Sequence, residues 1–429
     1  MKILAVYYRG RKGEALNLGR LTFYEGKGQF EYSDEAIANN IVLSPYHLGL
    51  RKGLIQAPSG PFLGLHGLFN DSLPDGWGLY IMDKVFKAHG IDVSSVTPID
   101  RLAFVGDRAM GALSFEPDEG QKYLTTNLGK IDIDALAEQS VETYMGGLDG
   151  VIDRLADVGS PSGGARPKAL LGIKGDHAIS GTLELPEGYS HWLIKFPAGK
   201  TPDKRSEGSI EYLYSEMARN AGIEFPETRL IPGKDDNHYF MVKRFDRDIH
   251  NTRRHVHTLA GLLNLDFRVS MVGYKELLKV CSDLTGSHKE TSQLFRRMLF
   301  NIMSGNRDDH SKNFSFMINS QEQWVNSPAY DIVYNHGMNG EHTMDINGKG
   351  KNFSLSDVNA LAKLFSISPK AVSSMISDIS DSLSCWAKEA QHHSIPKQQI
   401  TEISKHIDTH GKLLKPQSPS GNHGFTGPK

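Results

Sequence analysis

The segment that most constrains this chain is Asn306-Arg307-Asp308-Asp309-His310-Ser311-Lys312-Asn313-Phe314-Ser315-Phe316, which follows a stretch of helical periodicity. In Thr291–Met303 the apolar residues Leu294, Phe295, Met298, Leu299, Ile302 and Met303 recur at helical spacing, which predicts a buried central helix. Beyond it, Asp308 is followed five positions later by Asn313 and then by a strand-like run. On a helix, residues five apart diverge by more than a right angle, so only a loop can aim both at one point. A phosphotransfer loop needs this arrangement: the acid accepts or orients a hydroxyl proton and the amide holds a magnesium ion. A polar turn, with Asp and Asn bonding local backbone, is the competing reading and the commoner one for this segment alone. Eighteen residues after Asn313 stands a second carboxylate, Asp331, in Pro328–Val333, read as the end of a strand after a short hairpin. Phosphotransfer sites keep a metal-binding Asp there, and the joint pattern is far rarer than either turn.

Upstream lies Ser160-Pro161-Ser162-Gly163-Gly164-Ala165-Arg166-Pro167-Lys168. Its glycines allow successive N–H groups to face an anion, and Arg166 or Lys168 adds charge. It lacks the G-x-x-x-x-G-K-[ST] pattern of a Walker loop. Lys195 interrupts the apolar strand-like run Trp192–Phe196, so it needs a partner. A nucleotide phosphate is one, and solvent beside an edge strand is the alternative. A further apolar strand, Tyr239–Val242, runs into Lys243-Arg244-Phe245-Asp246-Arg247, which suits a hinge whose backbone meets an adenine ring.

Other chemistries find little support. Cys281 and Cys385 are far apart and read as buried, reduced residues. His255 and His257 form an H-x-H pair with nothing nearby to complete a zinc set, and the other histidines read as surface residues. No G-x-S-x-G nucleophile elbow occurs. A net charge of −2 provides no whole-molecule field towards nucleic acid or an anionic membrane. The start, Met1–Arg9, reads as a first strand rather than a leader, and no run approaches the roughly 18 apolar residues of a membrane helix. A soluble, cytoplasmic protein is therefore expected.

Four regions are expected along the 429 residues. Residues 1–120 hold short strands, Ile3–Tyr8 and Leu18–Tyr24 among them, and a loop, Asp71-Ser72-Leu73-Pro74-Asp75-Gly76-Trp77, leading into a helix. Residues 121–245 combine a helical connector (121–158), the glycine loop, the hairpin strands Ala169–Ile173 and Trp192–Phe196, and the hinge. Residues 246–412 are chiefly helical, with Tyr274–Ser282, Thr291–Met303 and Ser356–Leu364. A helix is also read over Ile210–Ala221, and the polar tail 413–429 is expected to be disordered.

Taken in order, LFNDSLPDGWG, VGDRAMGALSFEP, SGGARPKALLGI, WLIKFP, YFMVKRFDR, GNRDDHSKNFSF and SPAYDIVYN resemble the signature segments of the HipA family over roughly residues 3–365. The resemblance implies an α+β, protein-kinase-like fold of two lobes, with an added N-terminal subdomain and a mostly helical C-terminal lobe. It implies ATP and Mg2+ as cofactors, with Asp308 as catalytic base and Asn313 and Asp331 on the metal. Lys195 would contact the phosphates, and Gly163, Gly164, Ala165, Arg166, Pro167 and Lys168 would cover them. Lys243, Arg244 and Phe245 would form the adenine hinge, with His310 near the nucleotide and Glu211 a partner for Lys195. The family's known members are toxins that phosphorylate an aminoacyl-tRNA synthetase, chiefly the glutamyl enzyme, and halt translation. A small helix-turn-helix antitoxin of the HipB kind restrains them and carries the contact with DNA.

Two positions depart from the pattern. Where some members phosphorylate themselves on a serine this chain has Pro161, flanked by Ser160 and Ser162, and Lys243 stands where some carry Glu. A same-fold kinase with another substrate, or a silent co-repressor beside a DNA-binding partner, are the alternatives. Target choice lies in surface loops outside these motifs.

Overall fold

The computed structural model describes residues 2–124, 129–147, 152–159, 163–269 and 272–414. Ser160 and Ser162, the candidate modification sites, lie outside the described residues, as do positions 415–429 of the tail.

The first sheet is antiparallel, in the order β4-β3-β2-β1-β5, built from β1 (Ile3–Tyr8), β2 (Leu16–Tyr24), β3 (Lys27–Tyr32), β4 (Leu54–Gln56) and β5 (Leu113–Glu116). β2 turns into β3 through Glu25-Gly26, both at positive φ, as a two-residue hairpin twisted with its strands requires. Burial alternates along β1 and β3, so one face of this sheet packs inward.

The second sheet has the order β7-β6-β8-β10-β9, from β6 (Lys168–Lys174), β7 (His177–Ser180), β8 (Ser190–Lys195), β9 (Thr228–Pro232) and β10 (His238–Lys243). Lys195 therefore ends the central strand, paired on both sides, and the edge-strand alternative falls. A small third sheet joins β11 (Val256–Thr258), β12 (Ser315–Ile318) and β13 (Trp324–Asn326).

Two apolar cores define two lobes. One runs from Leu4 to Met241 and unites the first two sheets; the other runs from Ile210 to Leu414 around the helix His288–Ser304. Leu294, Phe295, Met298, Leu299, Ile302 and Met303 of that helix are buried, as its periodicity predicts, and Phe300 is buried beside them. The helix Glu207–Asn220 follows β8 in the chain, yet its Ile210, Leu213, Tyr214 and Met217 pack into the second core. It thereby crosses from one lobe to the other.

The N-terminal subdomain is fastened to the helical lobe by the H-x-H pair. His257 Nδ1 lies 2.6 Å from Asp71 Oδ2, its Nε2 lies 2.9 Å from Ser44 Oγ, and His255 Nε2 lies 2.8 Å from the Leu43 carbonyl. Here Gly67 meets Gly261 so closely that a Cβ on Gly67 would fall 2.0 Å from the Gly261 carbonyl oxygen.

Several expectations change. His66, His191, His342 and His406 are buried rather than on the surface, and the His255 and His257 pair is buried too. Most of them bond carbonyls, hydroxyls or carboxylates across the interior, so polarity alone was a poor guide to exposure. Cys281 is buried, but Cys385 is partly exposed at the start of a short helix. Asp331 does not end a strand: β13 stops at Asn326, before Pro328, which has no N–H to extend a ladder. The carboxylate sits instead in a loop at φ 54°. Among the described residues, no helix is long and apolar enough to cross a membrane.

Candidate active site

The helix His288–Ser304 starts on Ser287, whose Oγ accepts the Glu290 N–H, and stops at Gly305 in the left-handed conformation (φ 77°). The chain then enters the loop with Asp308 and Asn313. A single turn of 3-10 helix, Ser311–Asn313, begins on His310, and Asn313 Nδ2 donates to the Asp308 carbonyl at 2.8 Å. That bond uses the amide N–H and leaves the amide oxygen as an acceptor. The Asp308 side chain is half-exposed at the mouth of the cleft, with His310 Nε2 3.8 Å from its Oδ1. Partial desolvation raises its pKa above the usual carboxylate value; Asp331 and Asp309 add to this and His310 opposes it.

Across the cleft, Lys195 Nζ lies 2.5 Å from Glu211 Oε1 and 2.6 Å from Asp331 Oδ1. Burial alone would lower its pKa, but Asp331 and Glu211 outweigh burial and raise it. Lys195, and after it Lys168, holds the Asp331 carboxyl well below the ordinary range against its own desolvation. The structure thus joins Lys195 of the central strand, Glu211 of the crossing helix and Asp331 of the loop after β13. Glu211 also accepts from Arg166 Nη1 at 3.1 Å, while Arg166 Nε lies 3.3 Å from Glu207. The Arg166 guanidinium is therefore occupied by the crossing helix.

Gly163–Pro167 form the loop before β6, with Gly164 at φ 89°, a conformation that L side chains rarely adopt. Lys168 is buried beneath it and donates to the Gly163 carbonyl at 2.5 Å. Desolvation, with repulsion from Lys195, pulls this lysine down to about 8.

The hinge residues separate. Lys243 bonds through its N–H to the Glu227 carbonyl and through Nζ, at 3.5 Å, to the Glu227 side chain. Arg244 is buried, its guanidinium forked onto Asp246 at 2.9 and 2.7 Å and its N–H bonded to the His191 carbonyl. Phe245 is half-buried, its ring stacked on Tyr330 with ring centroids 5.8 Å apart.

Three supporting residues were given no role from sequence, although Asp75 and Asp309 lie within the segments that carry the family resemblance. Arg297, inside the central helix, donates from Nη2 to the carbonyls of Asn313 (2.5 Å) and Tyr330 (3.3 Å). One buried guanidinium thus fixes the backbone at Asn313 and next to Asp331, and burial pulls it down to about 10. Asp309, fully buried, accepts from Tyr274 Oη (2.5 Å), pairs with His342 Nδ1 (2.8 Å) and accepts the Thr343 N–H (2.8 Å). Asp75, read as turn punctuation, accepts from Gly164 N–H and from Lys312 Nζ.

A cleft between a sheet lobe and a helical lobe, with a lysine–glutamate pair above and an Asp/Asn loop below, is a protein-kinase-like fold of two lobes. The HipA-like C-terminal domain model matches residues 160–386 and the HipA N-terminal domain model residues 6–116, so the chain belongs to the HipA family. Its fold is similar to HipA of the Shewanella oneidensis MR-1 toxin–antitoxin system, solved with HipB and operator DNA. That likeness has a TM-score of 0.66 at 17% identity over 96% of this chain and 95% of that one. A Haemophilus influenzae protein named "Putative kinase" is 26% identical over 183 residues, 40% of this chain and 51% of its own. A Sinorhizobium fredii protein, also named a putative kinase, is 24% identical over 243 residues, 52% of this chain and 57% of its own. The chain spans about half the length of these curated relatives, 51% and 57%.

Proposed function

We propose that this chain is an ATP-dependent serine/threonine protein kinase and the toxin of a toxin–antitoxin pair. The observation that carries the reading is the Lys195 ammonium held between Glu211 and Asp331, opposite the loop of Asp308 and Asn313. Such an ammonium, kept charged in the cleft, suits ATP phosphates, and the glycine loop with Lys168 suits their outer oxygens. The Asn313 amide oxygen and the Asp331 carboxylate are hard oxygen donors that fit Mg2+ better than a thiolate-seeking metal. Bound there, Mg2+ would neutralise charge developing on the phosphates. Among the described residues, no group of three or more His, Cys, Asp or Glu side chains is gathered as a metal cage. Two protein ligands completed by phosphate and water is the usual provision for this ion.

In the reaction Asp308 orients the acceptor hydroxyl and takes its proton as the oxygen attacks the γ-phosphorus and ADP departs. Its raised pKa makes it a better proton acceptor than an ordinary aspartate. Lys195 holds the phosphates, Arg297 fixes the loops bearing Asn313 and Asp331, and Phe245 offers the adenine an aromatic edge.

The substrate proposed first is an aminoacyl-tRNA synthetase, the glutamyl enzyme foremost, whose phosphorylation would stop translation. A HipB-like helix-turn-helix antitoxin is the proposed partner, carrying DNA contact as the near-neutral charge of this chain suggests. The test incubates the protein with Mg2+ and labelled ATP, with and without glutamyl-tRNA synthetase and tRNA, alongside Asp308→Asn. Label on the synthetase that disappears in the variant supports the whole reading. Label on this chain alone, at Ser160, Ser162 or elsewhere, retains the kinase and rejects the synthetase. No ATP binding and no transfer rejects the enzyme and leaves a co-repressor.

A further inference from the structure

Asp75 stands at the N-terminus of the helix Gly76–Ala88, where an aspartate ordinarily caps its own helix, yet its side chain makes no cap hydrogen bond. The carboxylate is turned away to two partners from distant parts of the chain. Oδ1 accepts the Gly164 N–H of the glycine loop, and Oδ2 accepts Lys312 Nζ at 2.5 Å. Lys312 belongs to the loop that carries Asp308 and Asn313. Both members of the ion pair are largely shielded, at 22% and 17% side-chain exposure. Burial would raise the Asp75 pKa, but Lys312, the Gly164 N–H and Lys168 outweigh it and hold the carboxyl below its usual value.

The contact is wider than one carboxylate. The Trp77 N–H donates to the Gly164 carbonyl at 2.9 Å, and Trp77 Nε1 donates to the Lys168 carbonyl at 2.9 Å. Gly76 lies at φ 44°, and a Cβ there would fall 2.6 Å from the Gly164 carbonyl oxygen, so the two backbones meet directly. Gly164 is thus gripped at both its N–H and its C=O by the segment Asp75–Trp77.

We propose that Asp75 is a positioning residue of the nucleotide site. Its carboxylate holds the glycine loop closed and ties it, through Lys312, to the loop of Asp308 and Asn313. The inference rests on the kinase reading of that site. Gly163 and Gly164 have no side chains to pack and lose more entropy on ordering than other residues, so this part of the loop gains from an anchor beyond those at Arg166 and Lys168. A charge-assisted bond to a carboxylate that is itself fixed by an ammonium is a strong one. Without it the closed loop is less populated, and apparent ATP affinity falls by the same fraction. The N-terminal subdomain is then part of the nucleotide site although it supplies no group to the reacting atoms.

The experiment measures hydrogen exchange of residues 163–168 without nucleotide, and ATP affinity with KM and kcat, for wild type, Asp75→Ala, Asp75→Asn and Lys312→Met. Asp75→Ala should speed exchange of the loop and raise the ATP Kd and KM about tenfold or more, with a smaller change in kcat. Asp75→Asn keeps an acceptor for the Gly164 N–H, so its loop exchange should lie between the two. Lys312→Met should match Asp75→Asn, and the double variant should be no worse than either alone, because both remove one ion pair. Loop exchange unchanged in Asp75→Ala overturns the proposal, as does faster exchange with unaltered ATP affinity. If Asp75→Ala does not fold, Asp75→Asn and Lys312→Met decide by the same readouts. Wild type that fails to bind ATP rejects the kinase reading, while the nucleotide-free exchange still judges the anchor by itself.

Discussion

Lys195 carries a charge into the central strand of a buried sheet, and the two carboxylates that flank it are what the interior requires. Glu211 is almost wholly buried and answers two cations, Lys195 and Arg166. Glu211→Ala leaves both cations without it, and the expected loss is about 3 kcal/mol, the usual cost of breaking a buried pair. Urea unfolding checks this, and a loss under about 1 kcal/mol would contradict it. Asp308 makes a prediction in pH. Its pKa lies above the ordinary aspartate value of about 3.9, so the basic form is lost at a higher pH than usual as acid is added. The acid limb of kcat/KM should therefore fall above that value and vanish with Asp308→Asn, where the remaining activity is flat. A limb at or below 3.9 would remove the raised carboxylate from the mechanism.

At the scale of elements, the helix His288–Ser304 does two jobs at once. Its apolar face builds the second core, while its Arg297 reaches out to fix the backbones at Asn313 and Tyr330. Its termination at Gly305 decides where the loop of Asp308 begins. A Cβ on Gly305 would meet the His406 ring at 2.8 Å and the Tyr334 ring at 2.9 Å, and φ is positive. Gly305→Ala should cost about 1–3 kcal/mol, from left-handed backbone and a displaced ring together. Thermal unfolding would register it, and an unchanged midpoint would show that the helix end can shift at no cost. Periodicity forecast this helix well because packing enforces its pattern. The crossing helix was also forecast, as Ile210–Ala221 against the observed Glu207–Asn220, but its role in joining the lobes was not.

For the whole molecule, Asp71 carries three of the bonds that join the subdomain to the helical lobe. It accepts from Thr258 N–H (2.7 Å) and Thr258 Oγ1 (2.9 Å) and pairs with His257 Nδ1 (2.6 Å). Asp71→Ala leaves these buried groups unmatched, and calorimetry should show a lower or split transition; one unshifted transition would refute the role. Four buried histidines set the acid side of stability. Burial first of all lowers His66 and His191 to about 4 and His255 and His406 to about 3. Unfolded histidine takes its proton near 6.5, so below that pH the unfolded state binds protons that the folded state refuses. Their contribution is complete above about 6.5 and declines as pH falls, towards 4 for His66 and His191 and towards 3 for His255 and His406, by up to about 1.4 kcal/mol per pH unit for each. Urea midpoints at pH 7.5 and 5 should differ accordingly, and equal midpoints would show that these rings do not stay neutral in the fold.

The sequence by itself determined the elements with strong periodicity, the family pattern and the residue types available for phosphotransfer, because local spacing encodes helices, turns and loops. It could not decide whether Lys195 lay on an edge or at the centre of a sheet, since strand order depends on pairing across the chain. Nor could it tell that Arg166 and Arg244 are occupied by buried carboxylates while the Phe245 ring stacks on Tyr330. Asp75 looked like a turn residue beside Pro74 and Gly76, and its partners stand 89 and 237 positions away. Only the packed structure brings them together, because a carboxylate's partners are chosen by distance and desolvation in space rather than by neighbours in sequence.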